Sequence, residues 1–146
     1  MKYDFQVDLS VESSLSLVLR HISKGSKVLE FGTATGYMSR YMKEELGCKV
    51  YGIEIDEKAA LEASQYCEHM IITDIETMKW ADELSGESFD HILFVDVLEH
   101  MHDPRIILNR AQLLLKKHGT VLTSIPNIGH NAIIMELFKG NFNYRQ

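Results

Sequence analysis

The chain has 146 residues, of which 45% are hydrophobic and 25% charged, with a formal net charge of −6. This is ordinary globular composition, sized for one domain with one sizeable core. The acidic balance, with no Lys/Arg cluster to offset it, argues against a nucleic-acid binder. No apolar run approaches membrane-spanning length, and MKYDFQVDLS lacks the apolar stretch of a signal peptide.

Strand-like and helix-like segments alternate from end to end, the pattern of a parallel α/β sheet. An opening helix is expected from about Val11 to Ile22, with Leu15, Val18, Leu19 and Ile22 on one face. Lys27–Phe31 forms the first strand, and a helix follows Gly36. The second strand, Lys49–Ile55, leads to a helix capped by Asp56, with Ala59, Ala63 and Cys67 turned inward. A third strand spans His69–Thr73, and a short helix covers Thr77–Leu84 before Gly86.

Phe89–Val95 is almost continuously apolar, as a central strand covered on both faces should be. Asp103-Pro104 then caps a helix whose stripe is Ile107, Ala111, Leu114 and Leu115, and Gly119 is expected to end it before a fifth strand, Thr120–Ile125. Gly129–Lys139 reads as a last helix, ahead of the polar-aromatic Asn141–Gln146. Cys48 and Cys67 form no CxxC pair and read as buried thiols of a reducing, cytoplasmic compartment.

Five strands in this order, joined by right-handed crossovers, predict an open doubly wound sheet. Its ligand crevice lies at the carboxyl ends of the strands, where the order reverses around strand one. The run Val28-Leu29-Glu30-Phe31-Gly32-Thr33-Ala34-Thr35-Gly36 delivers an acid and a small-residue loop to that crevice. Backbone N–H groups at such a junction can approach a ligand. Glu54, about 20 residues on, stands where nucleotide-binding domains place a ribose-holding carboxylate.

Asp74 and Asp96 tip the next two strands. Acids at nearly every strand end do not suit a phosphate: two unit charges about 6 Å apart repel by roughly 3 kcal/mol at an effective dielectric near 20. They suit an adenosine ligand with free hydroxyls and positive character. The loop also lacks G-x-G-x-x-G, because Ala34 replaces the second glycine and Gly36 comes too early. That weighs against a nicotinamide-dependent oxidoreductase.

Glu30-x-Gly32-x-x-x-Gly36 resembles the first motif of the class I S-adenosylmethionine-dependent methyltransferases. Glu54 matches their ribose-binding acid, and Asp74-Ile75 the adenine position. Phe89–His100 is similar to their fourth-strand motif, and Leu114–Leu122 to their helix-turn-strand-five signature. The resemblance covers residues 25–127 and implies a Rossmann-like methyltransferase fold with S-adenosylmethionine as cofactor. It implies that Glu30 and the backbone of Gly32, Thr33 and Ala34 hold the methionine end, with Gly36 permitting close approach. Glu54 would accept the ribose hydroxyls, Asp74 would accept from the adenine amine, and Ile55 and Ile75 would line its ring. Asp96 and Val97 would sit near the sulfonium.

Two departures stand out. Where the family loop carries glycine this chain has Ala34, whose methyl is tolerable only at negative φ. The family fold also closes with two more strands, of which the chain stops short at Gln146. A natural short form and a C-terminally truncated one are both open.

Displacement at a sulfonium needs positioning more than acid–base help. A base is required only for a weak nucleophile such as a hydroxyl, and His100, with His102 behind it, is the candidate. Asp96, Glu99 and His100 share one turn, too weak a pattern to predict a metal. The reading is a methyltransferase acting on a small-molecule acceptor. Its rival is a non-catalytic cofactor-binding module needing further sequence or a partner. An edge left open by absent strands would favour a homodimer.

Overall fold

The computed structural model describes residues 7–127. Five strands, β1 (Lys27–Phe31), β2 (Lys49–Glu54), β3 (His69–Ile72), β4 (Phe89–Val95) and β5 (Leu115–Ser124), form one sheet in the order β3-β2-β1-β4-β5. All four pairings are parallel. The helices are α1 (Ser14–Arg20), α2 (Tyr37–Glu44), α3 (Glu57–Ser64), α4 (Lys79–Glu83) and α5 (Pro104–Ala111). This is the doubly wound Rossmann-like α/β fold expected, and its order reverses between β1 and β4. The expected tail helix over 129–139 and the segment 141–146 lie outside the described residues.

Alternation along the strands sends successive side chains to opposite faces, so the sheet divides two apolar layers. Leu29, Phe31, Ile53, Ile92 and Phe94 pack with Trp80, Ile107 and Ala111. Val28, Val50 and Leu93 pack on the other side with Val18, Leu19, Met38 and Met42. Phe31 stacks on Phe94 at 4.3 Å and meets the edge of Trp80 at 4.8 Å, below the crevice.

The local departures have physical causes. α1 starts at Ser14, not Val11, because Ser13 accepts the Ser16 N–H while Ser16 Oγ accepts the Ser13 N–H, a reciprocal cap. In α3 the buried residues are Ala60 and Ala63, and Ala59 is only half-buried. The segment after β3 breaks into a 3-10 turn, Ile75–Thr77, and then α4, with Met78 at φ 60° between them.

Gly119 does not end a helix, as the sequence predicts. α5 finishes at Ala111, a 3-10 turn covers Gln112–Leu114, and Gly119 lies inside β5. Phe89 pairs with Leu115 and His91 with Thr120, so five steps on β5 answer two on β4. A Cβ on Gly119 would stand 2.9 Å from the Phe89 carbonyl oxygen, so this irregular crossing needs glycine.

Candidate functional site

The crevice at the carboxyl ends of β1 and β4 gathers most of the predicted residues. β1 ends at Phe31 and the loop 32–36 turns into α2 with Gly32 at φ 73°, Ala34 at φ 48° and Gly36 at φ 88°. Ala34 thus occupies the left-handed region, contrary to the expectation of a negative φ. Its N–H, which donates to Glu54 Oε2 at 2.8 Å, offsets the crowding its methyl suffers there.

Four of the loop's backbone donors are used internally. Gly32 and Thr33 N–H both donate to the Ile53 carbonyl, at 2.8 and 3.3 Å, and Gly36 N–H donates to the Thr33 carbonyl at 2.9 Å. These amides do not await an anion, as the opening motif suggests. What the loop retains is acceptor capacity, since each carbonyl oxygen has two lone pairs.

Each glycine answers a neighbour. A Cβ on Gly32 would lie 2.8 Å from Val97 Cγ2, so the β1 loop and the segment after β4 close on one another there. A Cβ on Gly36 would lie 2.7 Å from Ala63 Cα. Gly36 therefore allows close packing of α3. Thr33 is buried, with its methyl 2.8 Å from the Cβ position of Gly52.

The acids differ from one another. Glu30, 3% exposed, accepts the Ser39 hydroxyl of α2. Burial pushes its carboxyl up to about 8 against that hydrogen bond, with the Glu54 charge adding to the rise. Glu54 ends β2, and its Oε1 accepts the Ile55 and Asp56 N–H at 2.9 and 3.0 Å.

Asp74 is exposed and caps the turn after β3 by accepting the Glu76 N–H at 2.9 Å. Asp96, also exposed and at φ 53°, accepts the Ser124 hydroxyl at 2.8 Å. The pair expected to line an adenine ring is split: Ile55 is 65% exposed, whereas Ile75 is 8% exposed and packs in the core. Its carbonyl accepts the Trp80 indole N–H, which draws the turn inward.

His100 is exposed, its Nε2 3.8 Å from Glu99 Oε1. His102 pairs with Glu76, Nδ1 to Oε2 2.9 Å, linking the loop after β4 to the turn after β3. Hydrogen bonding to Glu76 raises the imidazole's affinity for its proton.

Sequence reasoning missed Tyr37. It opens α2 beside the loop, and burial, then the charges of Glu30 and Asp96, push its hydroxyl up. Its place directly after Gly36 was the available signal. Ser39, the hydroxyl partner of Glu30, was missed too, because only the fold turns it under β1.

A family model described as a methyltransferase domain matches residues 4–140. This chain belongs to the methyltransferase-domain family. Relatives include the ubiquinone biosynthesis O-methyltransferases of Glaesserella parasuis, 31% identical over 84% of this chain and 58% of that protein, and of Pasteurella multocida, 30% identical over 82% and 58%. The chain thus spans a little over half the length of these curated relatives.

Among solved structures, coclaurine N-methyltransferase matches at TM-score 0.63 and 20% identity, over 73% of this chain and 33% of that one. A putative Haloferax volcanii methyltransferase, solved with the Trm112 activator, matches at 0.63 and 21%, over 77% and 51%. At these identities the likeness is one of fold. No helix among the described residues is long and apolar enough to cross a membrane, and none of their His, Cys, Asp and Glu residues group to hold a metal.

Proposed function

We propose that this methyltransferase domain binds S-adenosylmethionine at the carboxyl ends of its strands and serves methyl transfer to an oxygen of a small molecule. The observation that carries the reading is the hydrogen-bond state of the loop. The N–H groups of Gly32, Thr33, Ala34 and Gly36 all have acceptors inside the chain. With those four amides engaged, carbonyl oxygens and carboxylates predominate among the groups left to meet a ligand, and they attract cations while repelling phosphates. An ammonium and a sulfonium fit that set; a pyrophosphate does not.

In this reading loop carbonyls take the methionine ammonium and Glu54 accepts from the ribose. Asp74 accepts from the adenine amine beside the exposed Ile55, and Asp96 and Val97 border the sulfur. Glu30, closed off beneath the loop, supports the methionine end from behind through α2. The cofactor would supply a methyl group on positive sulfur, and the chain's own task is to align it and keep water away. The oxygen acceptor follows the relatives' named chemistry, and in this reading His100 takes the hydroxyl proton.

Titration calorimetry with S-adenosylhomocysteine tests the reading, with NADH as the counter-ligand. Micromolar binding of the first alone supports it; no binding at high micromolar concentration, or preference for NADH, removes it. Glu54→Ala, weaker in the same titration, sharpens the experiment. Binding without product over a panel of hydroxylated acceptors supports the second reading, a cofactor-binding module completed by further sequence or a partner. The chain's 58% share of its relatives' length motivates that alternative.

A further inference from the structure

Ala34 is the non-glycine among the three left-handed residues of its loop, and a Cβ at φ 48° crowds the carbonyl that follows it. Left alone, this residue would relax toward negative φ and carry the loop with it. Glu54, at the end of the neighbouring strand, stands against that shift. Its Oε1 is fastened by two donors, the Ile55 and Asp56 N–H groups, which fix the carboxylate at the end of β2. Its Oε2 is thereby presented at a set position, where it accepts the Ala34 N–H at 2.8 Å. The side chain is nine-tenths buried, so little water competes for it.

We propose that Glu54 is a positioning residue for the loop as well as a ligand-binding one: its carboxylate locks Ala34 in the left-handed conformation, setting the loop before any ligand arrives. The lock rests on the proposed function only in its consequence for cofactor affinity. It also explains how the chain tolerates alanine where glycine would be unstrained. Only a carboxylate can do this. Glu54→Gln has one acceptor oxygen; turned toward Ile55 and Asp56, it confronts the Ala34 N–H with an NH2 donor, and turned the other way it strands the other two.

Amide hydrogen exchange on the ligand-free chain tests the lock. In Glu54→Gln, exchange at Ala34 should accelerate about tenfold or more, the worth of a hydrogen bond to a charged group. Gly32, held by the Ile53 carbonyl, should keep its protection. Unchanged exchange at Ala34, or equal acceleration at Gly32, overturns the proposal. Should the variant fail to fold, the parent chain still decides: a scalar coupling across the hydrogen bond between the Ala34 nitrogen and the Glu54 carboxyl carbon is expected, and its absence is fatal.

With S-adenosylhomocysteine, Ala34→Gly should change affinity by a larger factor in the Glu54→Gln background than in the parent, since glycine needs no lock. Equal factors would deny the lock any part in binding. If the parent binds no S-adenosylhomocysteine while Ala34 behaves as stated, the cofactor reading falls and the lock stands.

Discussion

The two ends of the sheet are built on opposite rules. At the amino end, charge is matched. Asp90 Oδ2 accepts the Lys27 N–H at 2.8 Å and pairs with Lys116 Nζ at 3.1 Å, and Lys27 Nζ pairs with Glu87. Buried His91 accepts the Ser23 N–H at Nε2, which fixes a neutral ring with its proton on Nδ1, shared with Thr120 Oγ1 at 2.7 Å. At the carboxyl end, Glu30, Glu54, Asp74 and Asp96 are held by backbone N–H groups and hydroxyls; the Lys and Arg ion pairs of the described residues leave them out.

Backbone conformation divides in the same way. Gly25, Gly47 and Gly86, each before a strand, have left-handed φ and open space around them. Gly32 and Gly36 have left-handed φ and a neighbour in the way, and Ala34, Met78 and Asp96 hold such φ without being glycine. Acids without a Lys or Arg partner and forced backbone gather where a ligand is proposed to bind, and the joining end is relaxed.

The largest effect should come from two glycines flanking β1. Gly36→Ala meets both the left-handed penalty and overlap with Ala63, together about 3 kcal/mol. Gly25→Ala meets the first alone, about 1 kcal/mol. Denaturant midpoints of the two variants measure this directly. Equal losses would mean that the crowding beneath the loop is relieved by a small shift of α3, and the contrast between the ends would lose its backbone half.

Next in size is an effect on binding. Glu54→Ala should weaken S-adenosylhomocysteine by about 1.5–3 kcal/mol. Lys116→Ala, removing an exposed pair at the opposite end, should leave that affinity alone and cost at most about 1 kcal/mol of stability. An unchanged affinity in folded Glu54→Ala would take this carboxylate out of the binding site.

Most of this architecture was legible because strand and acid coincide in sequence. Lys49–Glu54 and Phe89–Asp96 each run apolar and then stop at a carboxylate, and Lys27–Phe31 carries Glu30 one residue before its end, so pattern alone places the acids at one end. Pattern could not tell what each acid touches. Glu30 and Glu54 read alike, yet one is met by a hydroxyl from α2 and the other by three amides, a difference set by helix placement. Ala34 was misjudged because local propensity knows nothing of Glu54, 20 residues away. Gly119 was misjudged for the same reason: the close contact it relieves is with the Phe89 carbonyl on another strand. Ile75 shows the same limit: its burial, with its carbonyl accepting the Trp80 indole N–H, is set by packing that local pattern does not show.

A further effect separates the ends by sign. Glu30 is pushed up from 4.5 to about 8, chiefly by burial. Between those values the folded chain keeps a proton that the unfolded chain has released, so stability falls as pH rises through the window. At the amino end the sense is reversed. Burial holds His91 below its usual 6.5, and the Lys27 N–H holds Asp90 below 3.8. For each, the unfolded chain takes the proton first, so stability falls as pH drops below the ordinary value. Glu30 and His91 oppose one another below pH 6.5, but from 6.5 to about 8 the Glu30 decline stands clear of His91. Denaturant midpoints over that interval should fall more steeply in the parent than in Glu30→Gln, whose neutral amide has no proton to lose and which keeps only the decline of the same sign from His102, held protonated by Glu76. A variant that declines in parallel with its parent would assign the slope to another group, and the buried acid beneath the loop would no longer be the element that sets the carboxyl end apart from the amino end.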